Sequence, residues 1–203
     1  ILITALAILL NYAVKMSRSK LWESIAKVTM LGYSVPGAVI AVGIMILIIG
    51  LDKYFISVFN EWFSIKMDLL ITGSIFALLY AYLVRYFAVS FGPMEAAFKS
   101  LPHSLNEAGR SLGASPARNL LKVDLPILSK AIIAAVMVAF VDIMKELPLT
   151  LILRPFNFNT LATNAFQYAN DEMVTKAAPA SLLIIGIGMI PVFLLNRLIK
   201  QEK

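Results

Sequence analysis

Long apolar runs alternate with polar segments along the chain, which is the pattern of a polytopic membrane protein. The five runs cover residues 1–14, 31–51, 69–91, 127–144 and 179–196. A helix that crosses about 30 Å of hydrocarbon needs about 20 mostly apolar residues. We therefore predict about five transmembrane helices, and we interpret the first as a span shortened by truncation of the chain at its N-terminus.

The composition supports this prediction and excludes several kinds of site. Of the 203 residues, 60% are hydrophobic and 15% are charged, whereas a soluble domain has about 45–50% and about 25%. The predicted fold class is an all-α transmembrane helical bundle that forms a single domain over residues 1–203. Because the chain has no cysteine and one histidine, we expect no thiol nucleophile, no metal ligands and no catalytic residue.

Basic residues are distributed unevenly between the two sides of the predicted bundle. The net charge is +6, and eleven Lys and Arg residues fall in segments 15–30, 92–126 and 197–203, against five on the other side. Cytoplasmic loops of membrane proteins are enriched in Lys and Arg. We therefore predict a cytoplasmic C-terminus, with Arg85 near the cytoplasmic end of its span. Orientation accounts for the basic charge, so we expect no nucleic-acid partner.

The cytoplasmic segment 92–126 is predicted to begin with one short helix. Ser104 and Glu107 have the S-x-x-E spacing of a capping box, which favours a helix start near Leu105. Gly113 can adopt the left-handed conformation that ends a helix. The segment therefore breaks sharply at this glycine.

A second short helix is predicted after the break. Ser115 is a candidate N-cap, and Pro116 then takes the first helical position, where its missing N–H costs nothing. We predict that this helix ends before Pro126. A DNA-reading helix-turn-helix has similar elements, but membrane spans at both ends would keep this loop out of a major groove. The pair of helices favours a protein partner instead.

A spaced motif runs through this loop. Its residues are Glu107, Ala108, Gly109, Gly113, Val123, Leu125 and Pro126. The pattern resembles the EAA loop of ABC-importer permease subunits, which reads EAA, three residues, Gly, nine residues, Ile, one residue, Leu-Pro. The spacing matches throughout, with Gly109 in place of the second Ala and Val123 in place of Ile.

The resemblance implies the type I ABC importer permease fold and a mechanical role for the loop. In that family the loop docks into the cytoplasmic ATPase dimer, and it would do so here through Glu107, Ala108, Gly109, Gly113, Ala114, Leu125 and Pro126. ATP and Mg²⁺ would be bound by that dimer, because this chain has no phosphate-binding G-x-x-x-x-G-K-[ST] motif. The chain itself is then a translocation subunit and not an enzyme.

Three further stretches, at residues 32–43, 78–102 and 142–172, resemble the ferric-iron importer permeases, relatives of the thiamine and sulfate permeases. The resemblance covers the C-terminal half of such a protein. It implies a bacterial inner-membrane location among lipid, an extracytoplasmic binding protein, and either a missing N-terminal permease half or a second permease copy. A permease for thiamine, sulfate or another small solute remains an alternative, and a channel or secondary transporter is a further one.

Ionisable residues cluster at the outer end of the fourth predicted span. A charged side chain in hydrocarbon costs about 2.5–3.5 kcal/mol on insertion scales, so Asp142, Lys145 and Glu146 should face the bundle interior. Their i, i+3 and i, i+4 spacings would place all three on one helical face, before Pro148 interrupts the helix. They form either a gate or cation-contacting surface in the pathway, or an internal salt bridge that holds the kinked helix in place.

The outer segment 154–178 is rich in amides, with aromatic residues interleaved. It is either a docking face for an extracytoplasmic binding protein or a loop folded back into the vestibule of the pathway. The sequence leaves both interpretations open.

Overall fold

The computed structural model describes residues 1–17, 19–63, 69 and 71–200, and these residues are almost entirely helical. Three of the basic residues that support the predicted orientation, Arg18, Lys66 and Lys203, lie outside the described residues, as does Leu70 of the third predicted span. The α-helices are α1 Leu2–Ser17, α2 Lys20–Met30, α3 Gly37–Phe63, α4 Ile75–Ser100, α5 His103–Ser111, α6 Pro116–Asn119, α7 Leu125–Ile127, α8 Ser129–Met144, α9 Pro148–Leu153, α10 Leu161–Asn170 and α11 Val174–Lys200.

All five predicted apolar runs are helical, but they differ in length. Within the described residues, three helices are long and apolar enough to cross a membrane, namely α3, α4 and α11. A fourth span is possible if Pro116–Ile127 and Ser129–Met144, which meet at 77°, count as one. The first predicted span is short, as the sequence indicated, because α1 has 16 residues and a span needs about 20.

The chain forms two compact units, each assembled from distant parts of the sequence. The first comprises residues 1–33, 86–141 and 191–203, and its core includes Met94, Phe98, Leu120 and Leu128. The second comprises residues 34–85 and 142–190, and in it α9 packs against α3. Buried apolar side chains of the second unit include Ile44, Ile48, Leu78, Leu149 and Leu153.

The predicted loop 92–126 begins later than expected. Helix α4 continues to Ser100 and contains Pro93, since the side chains that follow this proline still pack on one face, with Met94, Phe98 and Leu101 buried. Arg85 consequently lies near the middle of the 26-residue α4, and its predicted position at the end of a span is wrong. The connecting segment proper covers residues 101–126.

The predicted end of the second short helix before Pro126 is also wrong. After α6 the chain makes a π-helical turn over Leu120–Asp124, in which the Leu125 N–H donates to the Leu120 carbonyl. Pro126 has no N–H to donate, and a π-turn is a common way to absorb such an interruption. The helix therefore runs on through Ile127 and turns sharply at Leu128.

Candidate functional site

The segment 101–126, which we call the EAA-type segment, folds as two short helices joined by a closed turn. The predicted capping box is wrong: α5 begins at His103, and its N-cap Pro102 makes no side-chain hydrogen bond. The extended backbone of this proline, with ψ of 138°, leads directly into the helix and moves the start two residues ahead of Leu105. Ser104 is therefore inside the first turn.

The end of α5 matches the prediction closely. Gly113 has φ of +76°, a value that glycine reaches without the steric cost that other residues incur. The Gly113 N–H donates to the Arg110 carbonyl at 2.9 Å, and the Ala114 N–H donates to the Gly109 carbonyl at 3.0 Å. This pair of hydrogen bonds is a Schellman motif. Ser115 then caps α6 by accepting from the Arg118 N–H, with Pro116 at the start of the helix.

Gly109 allows the two short helices to pack at close range, because it has no side chain. A Cβ atom at this position would lie 3.0 Å from Asn119 Cγ and nearer still to the amide oxygen. Asn119 is 3% exposed, and its amide donates a hydrogen bond to the Asn106 side-chain oxygen. Glycine at the second alanine position of the motif therefore accommodates a buried asparagine.

The predicted coupling residues separate into an exposed group and a packed group. Glu107, Ala108, Gly113 and Pro126 are exposed, whereas Gly109, Ala114 and Leu125 are partly buried. Leu125 packs against the core of the first unit. The segment thus leaves one part of the motif exposed and packs the other part within the first unit.

Two contacts to α1 that the sequence analysis missed attach the EAA-type segment to the first unit. Tyr12 donates a hydrogen bond to the Pro116 carbonyl at 2.7 Å. Lys15 Nζ lies 3.4 Å from Asp124 Oδ1, in a pair whose side chains are 10% and 0% exposed. An acidic residue flanked by Val123 and Leu125 is a signal in the sequence for such a buried pair.

A second candidate site surrounds Glu146 in the second unit. The Arg85 guanidinium Nε lies 3.4 Å from Glu146 Oε2, and the same guanidinium donates to the Val35 carbonyl. Glu146 Oε1 also accepts from the Leu149 N–H at 3.1 Å, so this carboxylate caps the start of α9. Gly37 permits the packing, because a Cβ there would lie 2.8 Å from Glu146 Oε1.

The spacing predicted that Asp142, Lys145 and Glu146 share one helical face, and this prediction is wrong. Helix α8 ends at Met144 and α9 begins at Pro148, because Pro148 has no N–H to donate to the Met144 carbonyl and so cannot continue the helix. Lys145 Nζ still pairs with Asp142 Oδ1 at 2.8 Å, but the lysine side chain is 61% exposed. Glu146 is buried, and it forms an ion pair with Arg85.

The outer segment contains helix α10, which the sequence analysis did not predict. Thr160 and Thr163 form a reciprocal capping box at its start. Before it, Arg154 donates to the Phe158 carbonyl and to the Asn159 side chain. Arg154 and Asn159 also border a cavity of about 470 Å³. Among the described residues, no group of three or more His, Cys, Asp or Glu side chains could hold a metal ion.

Comparison with known proteins finds transport-system permease proteins among the relatives of this chain. Over 191 residues, 94% of this chain, the sequence is 27% identical to the Fe(3+)-transport system permease protein FbpB 2 of Haemophilus influenzae, of which it covers 35%. Over 129 residues it is 24% identical to PhnV of Salmonella paratyphi A, a permease protein named for 2-aminoethylphosphonate transport, of which it covers 49%. PhnV of Salmonella typhimurium matches to the same extent.

The chain thus spans between a third and a half of the length of these relatives. A family model describes the chain almost from end to end, since it matches residues 3–202. The protein belongs to the family of inner membrane components of binding-protein-dependent transport systems.

Proposed function

We propose that this chain forms part of the translocation pathway of an ATP-driven ABC importer for ferric iron and transmits the movement of a cytoplasmic ATPase dimer to that pathway. The observation that carries the proposal is the rigid, exposed tip of the EAA-type segment. Glu107 and Ala108 are exposed on α5, and Leu112 is 87% exposed directly before the Schellman turn. An acidic residue, a small residue and an apolar side chain on a fixed turn suit insertion into a cleft of a partner protein.

The proposal includes the partners and the location that the family resemblance implies. An extracytoplasmic binding protein would deliver the solute, and a second permease half would complete the pathway. The ATPase dimer would bind ATP and Mg²⁺. The excess of basic residues in segments 15–30, 92–126 and 197–203 supports a cytoplasmic C-terminus.

Ferric iron is the proposed solute because the iron permease relative matches 94% of this chain. A phosphonate or another small solute is the second candidate, favoured by the match of PhnV over 64% of the chain. In either case we propose that Asp142, Lys145, Glu146 and Pro148 lie beside the pathway. Arg85 would neutralise the buried Glu146 carboxylate there, in a contact 3.4 Å long.

The test uses the full-length permease reconstituted in vesicles with its ATPase and its binding protein. Gly113→Val is compared with Gly113→Asn, because φ of +76° at this position strongly disfavours β-branched residues and is tolerated better by asparagine. Nothing lies within 4 Å of a Cβ there, so the two variants differ in backbone strain and not in packing. We expect Gly113→Val to reduce transport and ATPase association about tenfold, which corresponds to roughly 1.4 kcal/mol.

The Asn variant should retain most of the wild-type activity. Uptake of ferric iron, 2-aminoethylphosphonate, thiamine and sulfate is measured in parallel with ATP hydrolysis. Equal transport by wild type and both variants would contradict the coupling role. A protein that transports without an associated ATPase would instead be a channel or secondary transporter.

A further inference from the structure

Helix α1 contacts the helical stretch that follows the Schellman turn at two points. Tyr12 reaches Pro116, the first residue of α6, and Lys15 reaches Asp124, the last residue of the π-helical turn. Tyr12 and Lys15 are three residues apart and therefore lie on one face of α1. The EAA-type segment is thus held at two points along its length by one rigid element.

The Lys15–Asp124 contact on this face is buried and charged, which makes it costly to separate. The Asp124 side chain is 0% exposed and the Lys15 side chain 10%. Lys15 Nζ also lies 5.7 Å from the centre of the Phe98 ring, within the range of a cation–π interaction. Removing one partner would leave a buried charge uncompensated, so α1 is expected to follow the segment when the segment moves.

Thr4 and Asn11 of α1 also make polar contacts with α4 inside the first unit. Thr4 Oγ1 lies 3.1 Å from Ser90 Oγ in a buried hydrogen bond. Asn11, which is 4% exposed, donates to the Phe91 carbonyl at 3.4 Å. Helix α1 therefore connects the EAA-type segment with α4, an apolar helix of membrane length, which it contacts from Thr4 to Lys15.

We infer that Tyr12 and Lys15 are positioning residues through which α1 transmits movement of the EAA-type segment to α4. The inference rests on the proposed function and adds to it a route through α1, besides the covalent continuations of the segment into α4 and α8. The contacts that carry it are Tyr12–Pro116, Lys15–Asp124 and Thr4–Ser90. Disrupting them should leave the exposed tip intact and still able to bind the ATPase.

The experiment measures solute transported per ATP hydrolysed in the reconstituted complete transporter. Tyr12→Phe removes only the hydroxyl that donates to Pro116, and Lys15→Met removes the charge while keeping most of the side-chain volume. The charge exchange Lys15→Asp with Asp124→Lys restores an opposite pair. Its control is Lys27→Glu, which alters charge at an exposed position of α2. Tyr80→Phe at a half-exposed position of α4 is the control for Tyr12→Phe.

We expect Tyr12→Phe and Lys15→Met to keep the ATPase in the purified complex and to lower the transport ratio about fivefold or more, the low end of coupling effects between sites. The charge exchange should restore the ratio at least in part, and both controls should match wild type. If Lys15→Met fails to insert in the membrane, Tyr12→Phe and the charge exchange decide the question. An unchanged ratio in Tyr12→Phe, or no recovery in the exchange, would overturn the inference. Failure of the wild type to bind an ATPase would overturn the proposed function instead.

Discussion

Gly109 shows how a single departure from a motif can be explained by its neighbour. The family pattern has alanine at this position, but here the space for a methyl group is filled by the amide of Asn119. Asn119 is buried and hydrogen-bonded to Asn106, so it has little freedom to move aside. The pairing of a glycine with a buried asparagine fixes the spacing of α5 and α6.

Replacing Gly109 with alanine should therefore destabilise the first unit. We expect Gly109→Ala to lower the free energy of unfolding by about 1–3 kcal/mol, the usual cost of overpacking, despite the better helix propensity of alanine. The measurement is thermal or denaturant unfolding of the detergent-solubilised protein. Gly92→Ala is the matched control, because nothing lies within 4 Å of a Cβ in that helical position. Equal stabilities of the two variants would contradict the packing argument.

The sequence predicted those residues of the site whose backbone conformation has a local cause. Gly113 and the Ser115–Pro116 cap depend on neighbouring residues alone, and all three are found as predicted. The partners of Lys15 and Glu146 could not be predicted in this way. They lie 109 residues away at Asp124 and 61 residues away at Arg85, and such pairings depend on how the helices pack.

At the level of elements, apolar length predicted the membrane helices well and their boundaries poorly. Apolar runs identified α3, α4 and α11, because a continuous run of that length is stable as a helix in lipid. Helix α2 was missed, since its apolar residues are interrupted by Lys20, Glu23 and Lys27. Pro126 was misinterpreted as a stop, because the π-turn over Leu120–Asp124 lets the helix continue through this proline.

The connection between α3 and α4 depends on one buried carboxylate. Asp52 is 0% exposed, and it accepts hydrogen bonds from the Ile71 N–H at 2.9 Å, the Thr72 N–H at 2.7 Å and the Thr72 hydroxyl at 2.6 Å. These bonds anchor the turn that precedes α4. A hydrogen bond to an ionised carboxylate is stronger than one between neutral groups.

We expect Asp52→Asn to lower the free energy of unfolding by about 1.5–3 kcal/mol, the range for a hydrogen bond to a charged group. Denaturant unfolding in micelles is the measurement. Glu95→Gln serves as the control, since it removes the same charge from an exposed i, i+4 pair with Lys99 that should contribute only about 0.3–0.5 kcal/mol. An Asp52→Asn protein as stable as the Glu95→Gln protein would show that the turn does not need the carboxylate.

At the scale of the whole molecule, each compact unit is closed by contacts between segments far apart in the sequence. In the second unit, Arg85 connects the Val35 carbonyl at the start of α3 with Glu146 at the break between α8 and α9. Tyr82, one turn earlier on α4, hydrogen-bonds to Thr150 of α9 at 2.6 Å. Three stretches of chain thus meet at one buried ion pair, at the position predicted for either a gate or an internal salt bridge.

Removing only the cation should be more damaging than neutralising both partners. We expect Arg85→Met to lower the free energy of unfolding by about 3–5 kcal/mol, because the buried Glu146 carboxylate would lose the countercharge of Arg85. Combining it with Glu146→Gln should recover more than half of this loss, since glutamine keeps an oxygen to accept from the Leu149 N–H. Iron uptake by the double variant separates the two interpretations: recovery of transport with stability indicates a salt bridge, whereas stability without transport indicates a gate.

The sharp turn at Leu128 has a mechanical consequence. The helical stretch from Pro116 to Ile127, which meets α8 at 77°, is about 18 Å long at 1.5 Å per residue. Rotation by about 10° around Leu128 would carry its far end, next to the Schellman turn, through about 3 Å. That distance is enough to exchange one set of side-chain contacts for another. In the proposed coupling the stretch would act as a lever arm. It would amplify a small rotation at the bundle, and a push of a few ångströms at its tip would become torque on α8.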